Sequence, residues 1–392
     1  MEDLGIRFEE NTIFVELSGR IDISNARIMQ TSLEEAIQKN SGANKMVVDA
    51  AKLEYISSAG LRVLLVCKKK INDYAIINAS RDVYDTLDMT GFTSIFEVKK
   101  ALRELSIDGL EMIGQGACGK VYRLDEETIV KVLNEGLDRG VIESEREKAQ
   151  KAFINGIDTA ISYDVVKVGN QIGVVYEMIN ADTFSSIMQK NPDKIEYYMG
   201  LYAEYLKNMH STHFQPGALM PVKPKWYGAI SYISVFTDDE KEIVKEMIDA
   251  VEDRDTFVHG DYNMGNVLYQ NDKPILIDMA DISVGHPIFD LAGVYLGFVL
   301  LPQLIPDEYF KALTGFTKAE KVVMWNKLCE VYFGAKTEEE RAEYEKQLKP
   351  FAAFRVIVKA SLGISAFSDE MVQYCKKVVL EANKDGVHTL NF

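Results

Sequence analysis

The chain has 392 residues, with 44 Lys and Arg against 60 Asp and Glu and a formal charge of −16. That balance argues against a nucleic-acid binder, whose footprint is basic; it would suit a cationic partner, but acidic chains are also simply soluble ones. Hydrophobic residues at 47% and charged residues at 27% are those of a globular protein, and the length allows two or three domains, each with a core of its own.

The N-terminus, MEDLGIRFEE, is acidic and lacks an apolar core, so no signal peptide is expected. Residues 12–19 read as a strand ending at Gly19, and Ser24 reads as the N-cap of a helix reaching Lys39. Strand signals follow at 45–50, 74–79 and 94–98, with helical periods at 58–70 and 81–89 between them. Such alternation within about a hundred residues predicts a small α/β domain over 1–106.

Between the second strand and its helix lies Tyr55-Ile56-Ser57-Ser58-Ala59-Gly60-Leu61. Ser58 sits where the helix would begin, so it reads as an N-cap. A phosphate on the same hydroxyl would also be well placed, because a helix N-terminus favours added negative charge. The GRID turn at 19–22, VVDAAKLEYISSAGLRVLL and TGFTSIFEV together resemble the STAS domains of anti-sigma factor antagonists. The resemblance implies a regulatory domain that binds an anti-sigma factor or another regulatory protein. In bacterial members the serine ahead of Gly-Leu is phosphorylated, and aligning on Gly60-Leu61 places Ser58 there. Those members usually carry Asp where this chain has Ser57.

The junction is expected at Ile107-Asp108-Gly109, followed by Gly114-Gln115-Gly116-Ala117-Cys118-Gly119-Lys120-Val121, a G-x-G-x-x-G-x-V pattern. Dinucleotide folds use G-x-G-x-x-G to join a strand to a helix. Here the chain continues as strand through Leu124, so the glycines belong to a hairpin whose backbone can approach the phosphates of ATP. Lys131, inside an apolar strand, is costly to bury unless paired. It is expected to contact the α- and β-phosphates and to be held by a Glu of the next helix, 141–154. Glu143, Glu145 and Glu147 are the candidates. Glu147 is preferred because apolar residues follow it closely, with a one-turn slip to Glu143 left open. Glu177-Met178-Ile179 ends the next strand pair as a hinge whose backbone at Glu177 and Ile179 would hold adenine. Residues 107–180 thus form a β-rich lobe, and 181–392 a mostly helical one with predicted helices at 194–213, 238–253, 290–299, 318–331, 338–348 and 351–383.

The helical lobe carries HGDYNMGNVLYQNDKPILIDMADISVGHPIFDLA from His259 to Ala292. Asp, Asn and Gly are common turn residues, and any one of them alone would mean little. Asp261 five residues before Asn266, with Asp278 after the strand PILI, is however the layout of a kinase catalytic loop. There one Asp orients the attacking hydroxyl, while Asn and the second Asp hold magnesium, which takes few carboxylates and completes its shell with phosphates. HGDYNMGN stands in place of HRDLxxxN and IDMAD in place of DFG, and no APE segment follows. With Leu206-Lys207-Asn208-Met209-His210 before the loop, residues 109–392 resemble the aminoglycoside phosphotransferase and choline kinase branch of the protein-kinase-like fold. The resemblance implies Mg²⁺ and ATP as cofactors and Asp261 as catalytic base. It implies Asn266 and Asp278 as metal ligands, Asp290 and His259 as braces of the loop, and Asp281 beside the metal site. It leaves the acceptor open, since members act on antibiotics, choline, sugars, amino acids and fructosamines.

The leading expectation is therefore a phosphotransferase acting on a small-molecule hydroxyl, fused to a STAS domain. A second is a kinase acting on Ser58 or an equivalent STAS serine. A third is a nucleotide-sensing binding module without transfer, against which stands the presence of Lys131, Asp261 and Asp278. Cys67, Cys118, Cys329 and Cys375 lie scattered without paired spacing, which fits a reducing cytoplasm. The longest uncharged run, 291–306, is too short for a membrane span.

Overall fold

The computed structural model describes residues 4–116, 119–136, 139–363 and 367–382. Ala117 and Cys118 of the glycine-rich stretch, and Ile364, Ser365, Ala366 and Asn383 of the last expected helix, lie outside them. The chain divides into two compact units, Met1–Asp108 with Val165–Gly173, and Gly109–Asp164 with Val174–Phe392.

In the first unit the elements run β1 (Gly5–Glu9), β2 (Thr12–Ile21), α1 (Ala26–Lys39), β3 (Lys45–Ile56), α2 (Ser58–Lys70), β4 (Asp73–Ala79), α3 (Arg81–Met89) and β5 (Glu97–Lys100). The five strands lie in sequence order, β1 antiparallel to β2 and the others parallel. β2 buries Ile13, Val15 and Leu17 by alternation, and α1 and α2 close over the sheet with Met29, Leu33, Leu61 and Leu64. Gly60 permits this closure, because a Cβ there would stand 2.7 Å from both Ile21 and Ile56. A short strand, β6 (Arg103–Glu104), pairs in parallel with Val166–Lys167.

Two expected caps are placed otherwise. α1 starts at Ala26, and the Ser24 hydroxyl is taken by Asp22 at 2.6 Å, so Ser24 caps nothing. In α2 the cap is Ser57, whose hydroxyl accepts from Gly60 N–H; Ser58 is one residue inside the helix and exposed. A cap must precede the first helical φ/ψ pair, and β3 runs on to Ile56, which leaves that place to Ser57.

The second unit opens with β7 (Met112–Gly116), β8 (Gly119–Arg123) and β9 (Thr128–Leu133) in antiparallel succession, then α4 (Arg139–Ile154); the strands β10 (Ser162–Val168) and β11 (Gln171–Glu177) follow, of which residues Val165–Gly173 count with the first unit. Its helical part runs β12 (Asp182–Thr183), α5 (Phe184–Lys190), α6 (Ile195–His210), α7 (Lys223–Tyr232), α8 (Asp238–Asp249), β13 (Phe257–Val258), β14 (Val267–Gln270), β15 (Lys273–Leu276), β16 (Ser283–Val284), α9 (Ile288–Tyr295), α10 (Leu301–Leu304), α11 (Asp307–Thr314), α12 (Lys318–Tyr332), α13 (Glu338–Ser361) and α14 (Asp369–Ala382). One continuous core joins α6, α9, α12 and α13 through residues such as Tyr202, Leu206, Leu291, Leu328 and Phe354. Two hairpin strands, β14 and β15, carry the chain from Asn266 to Asp278 across this core.

Several helices depart from expectation: α5, α7 and α11 were not foreseen, and the helix expected over 351–383 is interrupted, with α13 ending at Ser361 and α14 starting at Asp369. In α7 Pro224 occupies the first turn, where a missing N–H costs nothing. α13 runs unbroken through Pro350, where a stop was expected. Pro350 is buried, as are Leu348 and Phe351 beside it, and packing outweighs the lost hydrogen bond. Among the described residues no helix is long and apolar enough to cross a membrane.

Candidate active site

The glycines of the glycine-rich stretch lie in the β7–β8 pair, with Gly116 paired against Gly119. Gly119 has no room for a side chain: a Cβ would fall 2.1 Å from Val132 O. Beneath the hairpin lies a cleft of about 480 Å³. Ile113, Val121, Ile129 and the 177–181 segment line one side of it, and Leu268, Ile277 and Met279 the other. Lys131, Glu145, Asn266 and Asp278 share the same cleft. Its apolar walls suit a flat heterocycle, and its charged lining includes Lys131, Arg123 and Arg146 beside oxygen-bearing side chains. At 177–179 the N–H groups of Glu177 and Met178 already donate to Ile161 O and Glu127 O.

The acid facing Lys131 is Glu145, not Glu147. On α4 the inward positions are Ile142, Glu145, Ala149 and Ala152, a 3-4-3 spacing along one stripe. Glu147 is two residues further on and so about 200° around the helix; it is 66% exposed and pairs with Lys151. Glu143 pairs with Arg139 at 2.6 Å. Burial pushes the Glu145 carboxyl above its ordinary pKa, Lys131 opposes this, and Asp278 adds to the rise. Lys148 of the same helix donates to Ala280 O at 3.0 Å, tying α4 to the segment after Asp278.

Asp278 itself has φ 64° and ψ 68°, a left-handed backbone rarely adopted outside glycine. Strain of this kind persists only where the surroundings over-determine it. His259 contributes: fully buried, its Nε2 lies 3.2 Å from Ile277 O, one residue before Asp278. The other half of the brace is Asp290. Its carboxylate accepts from the N–H groups of His259 and Gly260, each at 2.7 Å, and meets His210 Nε2 at 3.2 Å. Burial alone would raise its pKa, but the His210 hydrogen bond and charge, with His259, outweigh burial and hold it below the ordinary carboxylate value. Gly260 is needed where it stands, at φ +85° with Asp281 O only 2.7 Å from where a Cβ would be.

Asp261 emerges from this braced loop. Asn263 and Asn266 each donate an amide N–H to its main-chain oxygen at 3.0 Å and approach its carboxylate at 3.2 and 3.3 Å. The Asn266 oxygen is thereby left for the cleft. The Asp261 carboxylate opens into a second cavity, about 410 Å³, lined by Lys225 and Trp226 of α7 and by Phe354, Arg355, Val358 and Lys359 of α13. Arg355 escaped the sequence reading. Its guanidinium donates to Gly260 O at 3.0 Å from both terminal nitrogens, and to Asp261 Oδ1 at 3.3 Å. Gly293 of α9 makes room for it, since a Cβ there would lie 3.2 Å from the guanidinium carbon. Asp281 is placed differently from expectation: its carboxylate lines this second cavity, paired with Lys225 at 2.5 Å, and does not line the cleft.

For a divalent cation, Asn266 and Asp278 supply oxygen atoms. Among the described residues no group of three or more His, Cys, Asp or Glu is gathered as a metal site. A cation held here would draw its remaining ligands from phosphate and water, as magnesium does.

Residues 4–105 match the STAS domain model, and residues 165–320 match the phosphotransferase enzyme family, APH. The second match begins after Lys131 and Glu145 and includes the catalytic loop. BtrV of Bordetella bronchiseptica, which bears the name of an anti-sigma factor antagonist, is 34% identical over 86 residues, 21% of this chain and 72% of that protein. Similar solved structures include ADP-bound APH(2'')-Ib, 16% identical over 79% of this chain and 99% of that one, TM-score 0.45. The streptomycin–ATP ternary complex of APH(2'')-IIa is 16% identical over 80% and 99%, TM-score 0.42. A choline/ethanolamine kinase family protein from Mesorhizobium loti is 16% identical over 71% and 92%, TM-score 0.44. The chain belongs to the STAS family through its first unit, and its second is an APH-family phosphotransferase domain.

Proposed function

We propose that this protein uses ATP with Mg²⁺ to phosphorylate the hydroxyl of a small molecule, in a reducing cytoplasm. One observation carries the reading. Lys131, Glu145, Asn266 and Asp278 line one cleft, Asp261 opens into the neighbouring cavity, and a hydrogen bond from Asn266 joins the two. ATP would lie with adenine against Val121, Leu268 and the 177–179 segment, the main-chain groups of Glu177 and Ile179 in reach. Its phosphates would lie under Gly114, Gly116 and Gly119, with Lys131 on the α- and β-phosphates and Glu145 orienting Lys131. Magnesium held by Asn266 and Asp278 would neutralise charge building on the phosphates. From the second cavity the acceptor presents its hydroxyl to Asp261, which takes the proton as the oxygen attacks the γ-phosphorus. The bond to the bridging β,γ-oxygen breaks, and ADP leaves. His259 and Asp290 hold the loop at rest, so that little reorganisation is left for the chemical step. The three described cysteines, Cys67, Cys329 and Cys375, are buried free thiols, as a reducing compartment allows. Acceptor-dependent ADP release tests the reading: Asp261→Asn should lower kcat by about 10²- to 10⁴-fold with nucleotide affinity little changed. An unchanged kcat would remove Asp261 from the reaction.

A second acceptor has an observation of its own. The Ser58 hydroxyl is exposed at the first turn of α2 and makes no hydrogen bond among the described residues, the capping being done by Ser57. Phosphate there would meet unpaired N–H groups and the helix dipole. Intact mass after incubation with Mg·ATP, wild type against Ser58→Ala, decides it; no gain in the wild type sinks this route.

A further inference from the structure

We propose that the acceptor is an anion, a hydroxylated compound with one carboxylate or phosphate group and an apolar body, and that Lys359 binds its negative group. The proposal rests on the reading of Asp261 as base, and deepens it. The chain as a whole has an excess of acid, 60 carboxylates to 44 Lys and Arg, yet the cavity that holds Asp261 reverses the sign. Its charged lining is Lys225, Arg355 and Lys359 against Asp261 and Asp281. Asp281 is neutralised by Lys225 at 2.5 Å, and Arg355 is spent on Gly260 O, Phe289 O and Asp261. What remains is Lys359. Its ammonium stands 3.8 Å from Asp261 Oδ1, beyond hydrogen-bond range, is 36% exposed, and makes no hydrogen bond among the described residues.

An acceptor amine entering this cavity would meet two cations around the one carboxylate that must stay free for chemistry. Like charges so placed repel and select against the wrong ligand. An oxyanion would instead draw Lys359 to itself, supply the hydrogen bonds its ammonium lacks, and relieve Asp261 of one of its two cations. The rest of the wall, Trp226, Phe354, Val358 and Leu362, offers apolar surface to the body of the molecule. A polycation such as an aminoglycoside finds no carboxylate here except Asp261 and the already paired Asp281.

The test is ADP release by the full-length protein with Mg·ATP, over hydroxyl compounds of similar size and different charge: glycerate and other hydroxycarboxylates, sugar phosphates, neutral polyols, choline and kanamycin. Acceleration by an anionic compound, with none by choline or kanamycin, is expected; the carboxylate and phosphate arms tell which oxyanion is bound. For that compound Lys359→Met and Lys359→Glu should raise KM by about 10- to 100-fold, with kcat changing less than about threefold and Lys359→Arg restoring most of the affinity. Acceleration by the cations, or by no anion, overturns the proposal. So does a Lys359→Met loss that falls on kcat, since that would make Lys359 a partner of Asp261 alone. Failure of the wild type to bind Mg·ATP in a calorimeter is a separate result, and takes the phosphotransferase reading down with it.

Discussion

The two cavities on either side of the catalytic loop are built in different ways. The cleft below the glycine hairpin draws its polar groups from short, local patterns: glycines in one turn, a lysine in the next strand, Asn266 and Asp278 at the two ends of one hairpin. The Asp261 cavity is walled by α7 and α13, more than a hundred residues apart in the chain. A local pattern fixes its own geometry, because a hairpin can close in only a few registers. Two distant helices meet only if the whole core between them packs, here through Trp226 stacked on Phe354 at 5.4 Å. On the proposed function, the first cavity would hold the nucleotide, and the second is where acceptor choice would be made.

That division can be broken by experiment. The largest effect expected is from Asp278→Asn, which should lower kcat by about 10³-fold or more while acceptor binding persists; loss of acceptor binding in equilibrium dialysis would show that the two cavities are not separate. Next comes Asp290→Asn. The loop it braces serves both cavities, and removing a buried, hydrogen-bonded charge should cost about 3–5 kcal/mol in urea unfolding at pH 7. Since the folded pKa of Asp290 lies below its unfolded value, its contribution is whole above about pH 4. It is lost as pH falls through the depressed value, so wild type and variant should converge only below about pH 4; convergence already at pH 6 would refute the assignment. Smaller still is Glu145→Gln, expected to weaken ATP use by roughly 10- to 100-fold through loss of the negative charge that faces Lys131. Glu147→Gln should change nothing measurable. Equal effects from the two would put the sequence preference back in place of the structural one.

Much of this molecule could be read before it was folded. The order of strands and helices in the first unit, the hairpin placement of Gly114, Gly116 and Gly119, and the sharing of one cleft by Lys131, Asn266 and Asp278 follow patterns of period and spacing. Glu145 was missed: nearness to the next apolar residue favoured Glu147, and only the folded helix shows that the stripe of Ile142, Ala149 and Ala152 turns Glu145 toward the lysine. Arg355 left no comparable signal. It lies one turn beyond Pro350 in a helix that local rules would have ended, and nothing near it in the chain marks the carbonyl of Gly260 as its target.

What residue order determined by itself is chemistry that neighbours along the chain can complete: a turn that admits phosphate, a strand lysine, a loop rich in oxygen ligands. Tertiary structure alone decided which glutamate faces the lysine, which serine caps α2, and what charge surrounds Asp261. Those depend on a rotation about a helix axis, on a strand running a few residues longer, and on two helices held together by burial.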